Sequence, residues 1–187
     1  MIFVCFLLVL LIQRGIELIL ARKNEIYLKN LGAIELGRRH YPVIVAVHGL
    51  FFVSLSLEVY FYQKEISNIW PYILTFFLLT QSIRIWVIKS LGPFWNTKII
   101  VLPQATVMKG GPYQLIKHPN YVVVSLEFIL IPFLFNAYLT AILFSFLNAM
   151  ILSIRIPAEE NALRKWTEYE VEFSAKSRFL PSLLKKI

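Results

Sequence analysis

Four long apolar stretches constrain this 187-residue chain more than any motif does. Met1–Ala21, Tyr41–Tyr62 and Ile69–Ile88 are each long enough to cross a bilayer core, which takes about 20 helical residues. The fourth tract, Tyr121–Ile154, runs 34 residues and is broken by Pro132 and then Asn136. That is too long for one straight crossing. We read it as a tight hairpin turning around Pro132–Asn136, with two arms of about 17 residues at the lower limit for a span. The expected fold is all-α: a multi-pass integral membrane helical bundle of about five transmembrane helices, ending in a C-terminal helical hairpin.

Composition agrees with a membrane chain. Hydrophobic residues make up 58%, mean hydropathy is +0.66, and 16% of residues are charged, against about 25% in soluble domains. The length allows one domain over residues 1–187, with three spans in 1–90 and a second half in 91–187. Cys5 is the sole cysteine, so no intrachain disulfide is expected. The first tract lacks a basic leader and runs directly into Arg22-Lys23, so it is expected to stay as a helix.

Charge placement gives a topology. With five spans, one side holds Arg22–Tyr41, Lys89–Asn120 and the tail from Arg155. Those segments carry 16 of the 19 basic residues, and the opposite side keeps Lys64. The positive-inside rule then puts the N-terminus outside the cell membrane and the C-terminus in the cytoplasm. Topology and anionic lipid account for the net charge of +8. Nucleic acid is not an expected partner, because the basic residues are split over three juxtamembrane segments without a binding motif.

Two motifs flank the hairpin on that side. Gly111–Tyr121 (GPYQLIKHPNY) leads in. Proline suits a helix start, which makes His118 the N-cap and puts Tyr121 in the first turn, beside free N–H groups that attract anions. His, Tyr and Lys also anchor helices at lipid interfaces, so this motif alone leaves both readings open. Arg155–Leu163 (RIPAEENAL) leads out. Spacings of three and four put Arg155, Glu159 and Leu163 on one stripe. Alone, that stripe reads more readily as a solvated helix start with an Arg–Glu pair. Both motifs at the two ends of one hairpin point to a shared pocket at the membrane surface. The chain contains no Ser/His/Asp triad, no metal-ligand cluster and no aspartate.

Other ionisable groups fall inside the apolar tracts. Arg14 and Glu17 are spaced to neutralise each other, with Gln13 alongside and His48 in the second tract. Glu58 and Arg84, near span ends, are expected to snorkel toward water. Glu127 lies deeper, and with Arg155 it is a candidate catalytic group. Phe94, Trp95, Tyr113 and Tyr121 are candidate pocket walls, and Trp95 also reads as an interfacial belt residue.

Gly111, Pro112, Tyr113, Lys117, His118, Pro119 and Tyr121, and after the hairpin Glu159, Glu160, Leu163, Trp166, Tyr169, Phe173 and the Arg178–Pro181 tail, resemble the isoprenylcysteine carboxyl methyltransferase family. The resemblance covers roughly Leu91 to Pro181. It implies a membrane O-methyltransferase that uses S-adenosyl-L-methionine, with Tyr113, Lys117, His118, Pro119, Tyr121, Glu159, Glu160 and Leu163 around the cofactor. Lys117 stands where the family has Arg, Val123 where many members have Gly, and Trp166-Thr167 where Phe-Gly follows the paired glutamates. The Glu35–Pro42 segment and Leu91–Trp95 resemble a bacterial branch associated with type III polyketide synthases. That branch implies a lipophilic acceptor such as an alkylpyrone hydroxyl, ahead of a prenylcysteine carboxylate. Arg38, Arg39, His40 and Trp95 would frame the substrate mouth. A sterol-reductase-type membrane reductase using NADPH, or a non-enzymatic membrane scaffold, are the alternatives. A transporter is disfavoured because the halves show no inverted repeat.

Overall fold

The protein's structure, a computed structural model, describes residues 1–38 and 40–181. Among these described residues, six helices and one small sheet follow in the order α1 (Ile2–Asn30), β1 (Ile34–Leu36), α2 (Tyr41–Phe61), α3 (Trp70–Leu91), β2 (Ile99–Val101), α4 (Pro119–Leu134), α5 (Tyr138–Trp166) and α6 (Tyr169–Phe173). Short 3-10 turns cover Gly92–Phe94 and Gly111–Gln114. Pro42, Pro71 and Pro119 sit in the first turns of α2, α3 and α4, where a missing N–H costs no helical bond.

The chain is a multi-pass helical membrane bundle. Helices α1, α2, α3 and α5 are long and apolar enough to cross a bilayer. The hairpin turns where the sequence placed it, but its arms are unequal. Helix α4 has 16 residues, about 24 Å, and α5 has 29, so α5 carries on well past the apolar tract. Asn136 closes the turn in the left-handed region (φ 54°), which asparagine tolerates better than most residues. The Ala137 N–H bonds back to the Pro132 carbonyl at 2.9 Å.

Two ends of the bundle are distinct. At one, the Ser67 N–H donates to the Leu134 carbonyl (2.9 Å) and Asn136 to the Glu65 carbonyl (3.2 Å), joining the α2–α3 loop to the hairpin turn. At the other lie β1, β2, α6 and the tail. The sheet, absent from the all-α expectation, pairs Ile34 with Val101 and Leu36 with Ile99 in antiparallel register. Three residues per strand are too few to leave a periodic signal in sequence. Between the ends, Phe51 meets Phe128 and Phe144 edge-on at 4.8 and 5.5 Å, inside a core that includes Leu10, Leu55 and Ile131. The outward faces are apolar, as at Ile12, Ile19 and Ile142, which suits contact with lipid.

Two intramembrane charges do not snorkel. Arg84 and Glu58 are 5% and 7% exposed. Arg84 donates to Glu17 through both Nε (2.5 Å) and Nη2 (2.6 Å), and to Glu127 through Nη1 (2.7 Å). Arg14 bridges the same two carboxylates at 2.7 Å each, and Gln13 and Gln81 close the network. The bundle interior supplies partners on α1 and α4, so Arg84 has no need to reach for water. Glu58 instead accepts the N–H groups of Leu139 (3.2 Å) and Thr140 (2.7 Å), capping α5, which has no side-chain cap of its own.

Candidate active site

A cleft of about 1050 Å³, counted out to its mouth, opens at the sheet end of the bundle. Its walls are the segment from Phe94 to Met108, the start of α4, the far end of α5, and α6. Each wall has a local cause. Gly111 (φ 58°) starts the Tyr113 turn hard against α3, where a Cβ would meet Ser90 Oγ at 2.0 Å and Trp86 Nε1 at 3.0 Å. Only glycine fits there. Tyr169 and Phe173, one helical turn apart on α6, stack with centroids 4.9 Å apart and face the same cleft.

The two motifs converge on one set of contacts. Arg155 Nε donates to Tyr121 Oη at 2.8 Å, and Tyr121 donates in turn to Glu159 through a short hydrogen bond. Arg155 Nη2 also reaches the Thr97 carbonyl at 2.6 Å. The neighbouring glutamate points elsewhere. Glu160, 1% exposed, bonds His118 Nε2 at 3.0 Å and Arg178 at 3.0 and 2.7 Å. Lys117 N–H and His118 N–H donate to the Ser177 and Arg178 carbonyls, so the tail is laced along the approach to α4. His118 is the N-cap by position, yet its ring serves Glu160 and makes no cap bond.

Three residues that line this cleft each hold a buried polar atom with no protein partner among the described residues: Trp95 Nε1, Asn120 Oδ1 and Tyr169 Oη. Burial and the Glu159 charge push the Tyr113 phenol up, and burial with Glu160 and Glu159 does the same for Tyr169. Both phenols therefore remain O–H donors at neutral pH. A cavity with apolar walls and a few convergent polar groups suits a small polar ligand adjoining a greasy one.

Most of the expected site residues meet here. Tyr113, Lys117, His118, Tyr121, Arg155, Glu159, Leu163 and Trp95 line the cleft. Pro119 starts α4 without facing the cavity, and Glu160 stands behind His118. Glu127 is held in the intramembrane charge network, away from the cleft. Trp95, 3% exposed, forms part of the cleft wall and is no belt residue. Arg38 is exposed and His40 half-buried, and neither lines the cavity; Arg39 lies outside the described residues. Sequence reasoning passed over Asn96, Lys98 and Asn120. Asn120 is the variable position of His-Pro-x-Tyr, and the other two sit in a loop without periodicity.

The isoprenylcysteine carboxyl methyltransferase family model matches residues 73–165, from α3 to the end of α5. An uncharacterized Bacillus subtilis protein, YpbQ, is 48% identical over 159 residues, covering 85% of this chain and 95% of that one. An uncharacterized Haemophilus influenzae protein is 25% identical over 162 residues, 86% of this chain and 92% of that one. The matched span carries the hairpin with both of its flanking motifs, and the chain belongs to the isoprenylcysteine carboxyl methyltransferase family.

Proposed function

We propose that this protein is an S-adenosyl-L-methionine-dependent O-methyltransferase acting on a lipophilic acceptor at the membrane surface. The observation that carries this reading is the trio of unpartnered polar groups on residues that line the same cleft as the Arg155–Tyr121–Glu159 chain. A donor (Trp95), an acceptor (Asn120) and a phenol (Tyr169) match the mixed polarity of a nucleoside with an amino-acid tail. Glu159 supplies a carboxylate for hydroxyl or ammonium groups, and Phe173 and Leu163 supply apolar wall. The bound cofactor would contribute an electrophilic sulfonium methyl group.

The chain's own residues align the partners and exclude water, which is the main requirement for an in-line displacement. A carboxylate or acidic enol is already ionised near neutral pH and needs no strong base. Arg155, buried and directed into the cleft, is the cation that would hold such an anion. We favour a small lipophilic hydroxy compound of alkylpyrone type over a prenylcysteine. The similar proteins found are bacterial, and a lipid tail could enter the cleft sideways between helices. The cleft end carries the basic segments, so we place it in the cytoplasm, where a soluble cofactor has access. Thermal unfolding in detergent tests the reading: S-adenosylhomocysteine should raise the melting temperature and NADPH should not. Stabilisation by NADPH alone would replace the methyltransferase with a reductase.

A further inference from the structure

Helix α1 lies outside the matched residues 73–165 and lines no part of the cleft, yet one of its faces holds a segment that does. Positions 17, 21, 24 and 28 are spaced by four, three and four, so they share a face, and all are buried. Glu17 fixes the register of that face through its two hydrogen bonds from Arg84. Two turns further along, Asn24 Nδ2 donates to the Trp95 carbonyl (2.7 Å) and the Gly92 carbonyl (3.2 Å). The Ala21 carbonyl accepts from Asn96 Nδ2 at 3.1 Å, and Glu25 takes Lys98 Nζ at 2.9 Å. From the opposite side, Arg155 and Tyr41 hold Thr97, at its carbonyl and its hydroxyl respectively. The segment from Trp95 to Lys98 is thus clamped between α1 and α5, while Trp95, Asn96 and Lys98 line the cavity.

We propose that Asn24 is a positioning residue: its amide, placed by the register of α1, fixes the Trp95–Lys98 wall and so sets the affinity of the cleft for its ligand. Choosing S-adenosylhomocysteine as the probe rests on the methyltransferase reading; the positioning claim has its own readout. Asn24→Ala removes both hydrogen bonds, and Asn24→Asp keeps the shape while turning a donor into an acceptor against two carbonyls. In both variants, amide hydrogen exchange over residues 94–99 should accelerate. Affinity for S-adenosylhomocysteine should fall roughly tenfold at temperatures where both variants remain folded. Tyr27→Ala, on the exposed face of the same helix, should change neither. Wild-type affinity in Asn24→Asp overturns the proposal, as does unchanged exchange in both variants. If neither variant folds, Glu25→Gln takes their place: it should loosen the same segment, and wild-type exchange there overturns the proposal. Absence of S-adenosylhomocysteine binding by the wild type would sink the methyl-donor reading, and the exchange data would still decide the role of Asn24.

Discussion

Glu159 and Glu160 are consecutive on one helix and do different work. A 100° step along α5 turns Glu159 into the cleft with Tyr121 and sends Glu160 back to His118 and Arg178. Glu159→Ala should therefore weaken S-adenosylhomocysteine binding by about 1.5–3 kcal/mol, the scale of one hydrogen bond to a charged group, and leave membrane insertion intact. His118→Ala should weaken it in the same direction. Glu160→Ala should instead lower the melting temperature of the ligand-free protein, because His118 and Arg178 lose their shared carboxylate. Titration calorimetry and thermal scans on the three variants separate these outcomes. Wild-type affinity in both Glu159→Ala and His118→Ala would remove the proposed cofactor site.

At the scale of elements, a buried charge network ties α1, α3 and α4 together. Arg14, Arg84, Glu17 and Glu127 balance to zero charge in a region where an unpaired ion is costly. Arg84→Ala should destabilise the bundle by about 3–5 kcal/mol, because it leaves two buried carboxylates sharing Arg14. Arg84→Lys should rescue little, since an ammonium cannot span Glu17 and Glu127 with the fork that the guanidinium presents. Unfolding in mixed micelles measures both. A loss below 1 kcal/mol for Arg84→Ala would mean that water reaches the network. The same packing lets α1 brace the Trp95–Lys98 segment of the cleft wall while lying far from it in sequence.

For the whole molecule, the expected topology places the sheet, α6 and the tail on the cytoplasmic side. A reporter at the C-terminus should be cytoplasmic, and one inserted near Ser67 should be external. Both reporters on one side would break the five-span arrangement. The acceptor is a question at the same scale, because the bilayer delivers it. Membranes given labelled S-adenosyl-L-methionine should form a methyl ether on a long-chain alkylpyrone. Base-labile ester on a farnesylcysteine analogue, with no ether on the pyrone, would reverse the choice of acceptor and keep the methyltransferase.

Sequence alone determined the membrane class, the hairpin and the proximity of its two flanking motifs. Those properties are written in runs of twenty apolar residues, in proline at helix starts and in helical spacing, all local or nearly so. The stripe Arg155, Glu159, Leu163 needed only the 3.6-residue period, and all three residues line the cleft. Tertiary structure decided the fate of each charge. Arg84 and Glu58 looked like snorkelling residues because their positions near span ends said nothing about a carboxylate on α1 or the open N-terminus of α5. Glu127 looked as eligible for chemistry as Arg155, until packing gave one to a structural network and the other to the cleft. Asn24 carries no pattern at all: its partners are the carbonyls of Gly92 and Trp95, and a backbone carbonyl has no letter in a sequence.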